Sequence, residues 1–557
     1  MLERELPCLR RMRAHAACAA PRRALLVGAP FILLGFLVGP LAHAQGSQEP
    51  SVASSVRAVG EGSGKASLTT PPQKKRTSLR RRTNSPRRTP VRTARATAPV
   101  GPSWTSPRTA SALATDLGTI LHSHTRGGAW GVLVMSVTRG DTLYSEQPDL
   151  LLKPASTMKL MTTAVALEKL GPDHTFETKV LTDRGATNGE VGNLYLKGGG
   201  DPTLSLRFWQ GESPMDALAR QVVAAGVRHV RGDIVGDESA FDSQRIPVGW
   251  KSSYLMSAYA APVSALSLNE NLVWVVARPA DGKAVVELDP PSTALPITST
   301  VKVVGGSGGR IRARRSGNGI AVSGTIGGRS APRRYSLVVQ EPPTFAAGAL
   351  DASLRRAGVQ IDGQLKTGVT PENAASVAEI RSLPLANIVS YMNRESINHF
   401  AELLFRDAAR ETGKQGTASA GLETLRDFLA SKAGARKEDI RVADGSGLSE
   451  ADSLTARAMV QLLAYAHRAP WGTTFHASMP VAGESELLQR RMRSTPAQGN
   501  LHAKTGTTNS VISLAGYVTA LNGEVLAFAF IFNGRDRWNA KATMDRMGPT
   551  LANFYRD

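Results

Sequence analysis

Cysteine is almost missing from this chain of 557 residues: there are two, Cys8 and Cys18, both upstream of an apolar run over 24–41. That run follows Arg22-Arg23 and ends at Ala42-His43-Ala44, so residues 1–44 read as a secretory signal peptide of an exported, periplasmic or envelope protein; an uncleaved membrane anchor is the alternative, with Pro30, Pro40 and three glycines weakening the run as a spanning helix. Cleavage after Ala44 leaves no cysteine, which excludes thiol catalysis and structural disulfides. Metal-ligand spacing among the histidines is also missing; His399 and His502 read as packing or surface residues, and no metal or cofactor is expected. The glycine-rich stretches at 198–202 and 305–309 neither continue into Gly-Lys-Ser/Thr nor open a helix after a strand. They read as turns, not as phosphate-binding loops.

Acidic residues are scarce in one place. Residues 1–44 carry six Lys/Arg against two Glu, and residues 45–108 carry thirteen against Glu49 and Glu61, leaving 48 basic against 42 acidic over 109–557. The formal charge of +21 is therefore mostly a property of the N-terminal quarter. The 45–108 segment, rich in Ser, Thr, Pro, Gly and Arg, reads as a disordered basic linker. It is a solvated spacer that could also attract an anionic envelope surface, and an exported chain gives no expectation of nucleic-acid binding.

From residue 109 the texture changes to that of a folded body. A helix is expected over 110–124, a hairpin over 130–144 and a helix over 156–170 that is apolar on nearly every face, hence buried. A mostly strand-like stretch follows, with a helical pattern over 344–357. Helices are then expected around 385–392, 400–410 and 454–468, strands at 513–518 and 525–532, and a closing helix over 538–555. Strands near both ends with helices between them give a discontinuous α/β (α+β) domain in two parts, 109–182 and 376–557. Inserted mainly-β domains occupy 183–375.

Three short motifs fall in this body in one order: Ser156-Thr157-Met158-Lys159, Ser396-Ile397-Asn398 and Lys504-Thr505-Gly506. Ser156 and Lys159 are three apart on one helix, so their side chains can meet. Lys159 can take the serine proton if its pKa falls by about three units from ~10.4, through burial and neighbouring positive charge such as that of Lys504. Ser396 and Asn398 offer a hydroxyl to relay a proton and an amide to hold substrate. Lys504, Thr505 and Thr507 can grip a terminal carboxylate, and Gly506 leaves room on an edge strand for an extended peptide. The backbone amides of Ser156 and Thr507 form the expected oxyanion hole.

Met392-Asn393-Arg394 before Ser396, Ala401-Glu402-Leu403 after it, the string Asp444-Gly445-Ser446-Gly447-Leu448 and the run over 513–518 complete a resemblance. The chain from about residue 109 onward resembles the class C low-molecular-mass penicillin-binding proteins, secreted D-alanyl-D-alanine carboxypeptidase/endopeptidases. That resemblance implies a serine β-lactamase/transpeptidase-like domain and peptidoglycan stem peptides as substrate. It also implies an acyl-enzyme on Ser156 and covalent inhibition by β-lactams. One departure stands out: several relatives carry an aspartate shortly after a Gly-Trp in the insert, whereas Gly249-Trp250 is followed here by Lys251-Ser252-Ser253. A β-lactamase and a non-catalytic peptidoglycan-binding scaffold are the competing readings. The first needs a deacylating base that the sequence does not display, and the second does not account for Ser156, Lys159 and Lys504 all being present.

Overall fold

The computed structural model describes residues 104–557 apart from positions 184, 186 and 210. The expected signal peptide and all but the last five residues of the expected linker lie outside the described residues. Among the described residues, no helix is long and apolar enough to cross a membrane.

One five-stranded antiparallel sheet organises the half that carries the three motifs. It is built from β1 (Ala129–Ser136), β2 (Thr142–Glu146), β3 (His502–Thr507), β4 (Val511–Thr519) and β5 (Val525–Asn533), in the order β3-β4-β5-β1-β2. Strand alternation splits its residues between two cores. Phe528, Phe530 and Phe532 of β5, with Ile512 and Leu514 of β4, face a core closed by α1 (Ala110–His124) and α6 (Arg537–Ala552). The opposite face carries the small side chains Ala515, Ala527 and Ala529, and helix α5 (Ala456–Arg468) packs close against it. Behind α5 runs α2 (Met158–Leu170), in which every residue from Met158 to Leu167 is buried, as an all-round apolar pattern requires. α3 (Leu385–Glu395) and α4 (Asn398–Arg410) complete this layer.

The segment between α2 and α3 forms its own hydrophobic cluster. Its main sheet orders Leu365–Thr367, Ile234–Asp237, Leu194–Gly198, Glu177–Thr182 and Ala375–Arg381, and three three-stranded sheets accompany it. Its regular elements are mainly strands, but a helix over Pro214–Ala224 also packs there. Its start signals are plain: the Ser213 hydroxyl accepts from the Asp216 amide, Pro214 occupies the first turn, and Asp216 sits near the positive end of the helix dipole.

The insert is tied to the half that carries the three motifs by polar bonds. Arg406 of α4, fully buried, donates to Asp242 at 2.6 Å and to the Gln244 carbonyl at 2.8 Å. The Trp250 indole N–H donates to Asp444 at 2.7 Å, and Lys251 forms an ion pair with Glu450.

Candidate active site

Ser156 lies in a single 3-10 turn, Ala155–Thr157, that runs directly into α2. The sequence predicts it in the first turn of the α-helix itself; the tighter turn follows from Ala155, whose φ is +48°. A positive φ costs a non-glycine residue on the order of 1 kcal/mol or more, so surrounding contacts must enforce it. They are visible. The Pro154 carbonyl accepts from the Thr157 hydroxyl at 2.8 Å and from the Ser513 hydroxyl of β4 at 2.6 Å. The Ala155 carbonyl abuts Gly447, where a Cβ would stand only 1.9 Å away.

Lys159 is fully buried, and its Nζ lies 3.0 Å from Ser156 Oγ, 2.6 Å from Asn398 Oδ1 and 2.8 Å from the Ser446 carbonyl. Burial lowers its pKa to about 8, against the carboxylates of Asp444, Glu402 and Asp452, which raise it. The expectation that Lys504 helps to depress Lys159 is corrected here: desolvation drives the shift. It is Lys504, equally buried, that is pushed well down, by desolvation first and by the Lys159 charge second.

Ser396 is the left-handed residue, φ +60°, that ends α3, and Asn398 is the first residue of α4. Lys504 Nζ donates to Ser396 Oγ at 3.0 Å and to the Thr505 carbonyl at 2.9 Å. The three motifs therefore meet: Ser156, Lys159 and Asn398 form one hydrogen-bonded group, and Ser396 with Lys504 forms a second. β3 is an edge strand, with Thr505 half-buried and Thr507 exposed. The Ala503 amide bonds the Pro480 carbonyl on the side away from β4, so strand alternation turns the Thr505 and Thr507 amides to that same free edge. At Gly506 a Cβ would lie 2.2 Å from Ser513 Oγ and 2.7 Å from the Pro154 carbonyl, so only glycine lets β3 approach the Ser156 turn. His399 is buried, with its pKa lowered to about 4 by desolvation, and His502 is half-buried in β3.

Sequence reasoning attached no role to the support behind Lys159. Asp444 accepts from the amides of Ser446 (3.0 Å), Gly447 (2.6 Å) and Ser449 (2.8 Å) and from Trp250, fixing the loop whose Ser446 carbonyl holds the lysine. The Asp-Gly-Ser-Gly string is a legible signal for such an aspartate-stapled turn. From the insert, the Tyr259 carbonyl accepts from Asn398 Nδ2 at 2.8 Å, and no residue type announces a backbone acceptor.

The family model described as the D-Ala-D-Ala carboxypeptidase 3 (S13) family matches residues 113–554. A D-alanyl-D-alanine carboxypeptidase of Actinomadura sp. (strain R39) is 36% identical over 448 residues, covering 77% of this chain and 82% of that protein. The D-alanyl-D-alanine carboxypeptidase DacB of Haemophilus influenzae is 26% identical over 418 residues, covering 73% of this chain and 86% of the relative. The crystal structure of penicillin-binding protein 4 from Haemophilus influenzae superposes with a TM-score of 0.65 at 23% identity, covering 77% of this chain and 98% of that one. The same fold has been solved with a β-lactam bound, at a TM-score of 0.61. This chain belongs to the S13 family of D-Ala-D-Ala carboxypeptidases. It has their penicillin-binding fold and is a serine-type peptidase of cell-wall metabolism.

Proposed function

We propose that the enzyme cleaves peptidoglycan stem peptides through an acyl-enzyme on Ser156, releasing D-Ala or, from cross-linked stems, the second peptide. The observation that carries this reading is the set of partners around Lys159. A neutral amine has two N–H groups and one lone pair; Asn398 Oδ1 and the Ser446 carbonyl take the hydrogens, which leaves the lone pair for the Ser156 hydroxyl at 3.0 Å. Ser156 Oγ then attacks the carbonyl of the D-Ala bond while its proton passes to Lys159. The amides of Ser156 and Thr507 are the proposed oxyanion hole, the second supported by its direction toward the free edge of β3. Ser396, bonded to Lys504, is suited to pass a proton to the leaving amine. Lys504, Thr505 and Thr507 are assigned the terminal carboxylate, whose charge would draw Lys504 back to its protonated form, and Gly506 admits the peptide along the strand. Water then attacks the acyl carbon and frees Ser156.

We further assign the chain to the periplasm or cell envelope, reached through the 1–44 segment. Any attraction of the basic linker to an anionic envelope surface belongs to that setting.

The deciding experiment combines mass spectrometry and product analysis. Incubation with penicillin should add one acyl group to a peptide containing Ser156, and Ser156→Ala should take none. Purified muropeptides should lose D-Ala, and cross-linked ones should also separate into monomers if the endopeptidase reading holds. An unlabelled wild-type protein would leave a scaffold, and rapid nitrocefin turnover without a lasting adduct would make it a β-lactamase.

A further inference from the structure

From residue 290 to 340 the sequence contains no Asp or Glu and eight Lys/Arg, whereas the rest of 109–557 carries 40 basic against 42 acidic residues. This segment builds a three-stranded sheet of the insert, in the order Ile297–Val304, Gly319–Gly327, Ile311–Ser316. One face is apolar and closed: Ile311, Ile320, Val322 and Ile326 are buried in the insert core. The other is open. Arg312 and Arg314 project from it as exposed residues at i and i+2, and Arg310 continues the row, since its carbonyl accepts from the Thr325 amide as a strand residue would. Successive guanidinium stems in that row are about 6.6 Å apart along the strand.

Lys302 stands exposed on the strand at the opposite edge. None of Arg310, Arg312, Arg314 and Lys302 has a carboxylate partner among the described residues. Between them the register sets rows of hydroxyls: Arg312 pairs with Ser323, which pairs with Thr300, and Thr325 pairs with Lys302. Charges that guard a strand edge against aggregation need no matching rows of hydroxyls across the sheet.

We infer that this open face binds a linear acidic glycan. Guanidinium forks match carboxylate or phosphate groups in two-point bonds, and the hydroxyl rows match sugar hydroxyls. The face carries no aromatic ring on which a nucleic-acid base could stack. Apart from Val304 at its rim it has no large exposed apolar side chain to enter a bilayer. Such a surface holds the enzyme on that glycan independently of the Ser156 site.

The test uses the full chain, so that the basic linker is constant, and compares wild type with the triple variant Arg310→Ser, Arg312→Ser, Arg314→Ser. A second triple variant, Arg→Lys at the same positions, keeps the charge and removes the forks. Binding to polygalacturonate is titrated at several salt concentrations, with neutral dextran, phosphatidylglycerol vesicles and single-stranded DNA as comparisons. The serine variant should bind polygalacturonate about tenfold or more weakly, with a salt dependence shallower by roughly two to three counter-ions. The lysine variant should fall between, while thermal melting and D-Ala release from a soluble peptide stay unchanged. Unaltered polygalacturonate binding in both variants overturns the inference, and an equal loss for DNA or vesicles overturns the glycan assignment.

Discussion

Lys159 is held between two opposing effects, burial that favours the neutral amine and three carboxylates behind it that favour the ammonium. With a pKa of about 8 it is mostly charged at pH 6, so the rate constant for acylation by penicillin should climb roughly tenfold per pH unit below that value and level off above it. A flat profile between pH 6 and 9 would remove Lys159 from the base role. Lys159→Arg, which cannot lose its proton, should acylate about 10²–10⁴-fold more slowly. Glu402 gives the complementary handle. Its own pKa is raised to about 8, by desolvation first and then by Asp444, above an unfolded value near ~4.3. The neutral acid is what the fold favours, so its stabilising contribution is complete below about pH 4 and is lost as pH rises through 8. Glu402→Gln should therefore gain on wild type in urea midpoint at pH 8.5 but not at pH 4. From about pH 8 upward, where Glu402 is ionised and raises Lys159, the substitution should also let the acylation profile reach its plateau at lower pH.

Two adjoining elements, the Ser156 turn and strand β3, are fitted to each other at the scale of single atoms. Gly506→Ala places a methyl group 2.2 Å from Ser513 Oγ and 3.0 Å from the Ser156 amide. The strand must then move off the turn, and acylation should fall by at least about tenfold, as small displacements of reacting groups do, with far-ultraviolet dichroism unchanged. The sequence exposes this arrangement unevenly. Motif residues are legible because their chemistry needs particular side chains, and α2 because its apolar pattern leaves no exposed face. The Ser446 and Tyr259 carbonyls are invisible because every residue type carries one. The 3-10 turn at Ala155 is equally hidden, since it arises from contacts with Gly447 and Ser513, hundreds of positions away in the chain. Helix Pro214–Ala224, by contrast, carries its start signals openly in Ser213, Pro214 and Asp216.

Across the whole molecule, the insert reaches Lys159, the proposed base, through a short chain of bonds: Trp250 to Asp444, Asp444 to the amides of the 446–449 loop, and the Ser446 carbonyl to Lys159. Trp250→Phe keeps an aromatic ring in a buried position and removes only the indole N–H. Asp444 is left with one fewer donor in a fully buried site, a loss of about 1–3 kcal/mol for a bond to a charged group. If that bond served stability alone, the urea midpoint would drop while acylation stayed as in wild type. The chain of bonds leads to a different expectation. The loop relaxes, the Ser446 carbonyl shifts from the lysine, and one hydrogen of the neutral amine loses its acceptor, so Nζ is free to turn its lone pair away from Ser156. Acylation at pH 9, where Lys159 is neutral in either protein, should therefore fall several-fold in Trp250→Phe. Asp242→Asn, which weakens the separate Arg406 tie between insert and α4, should lower the urea midpoint with little change in that rate. Equal rates for the two variants at pH 9 would confine Trp250 to holding the insert in place.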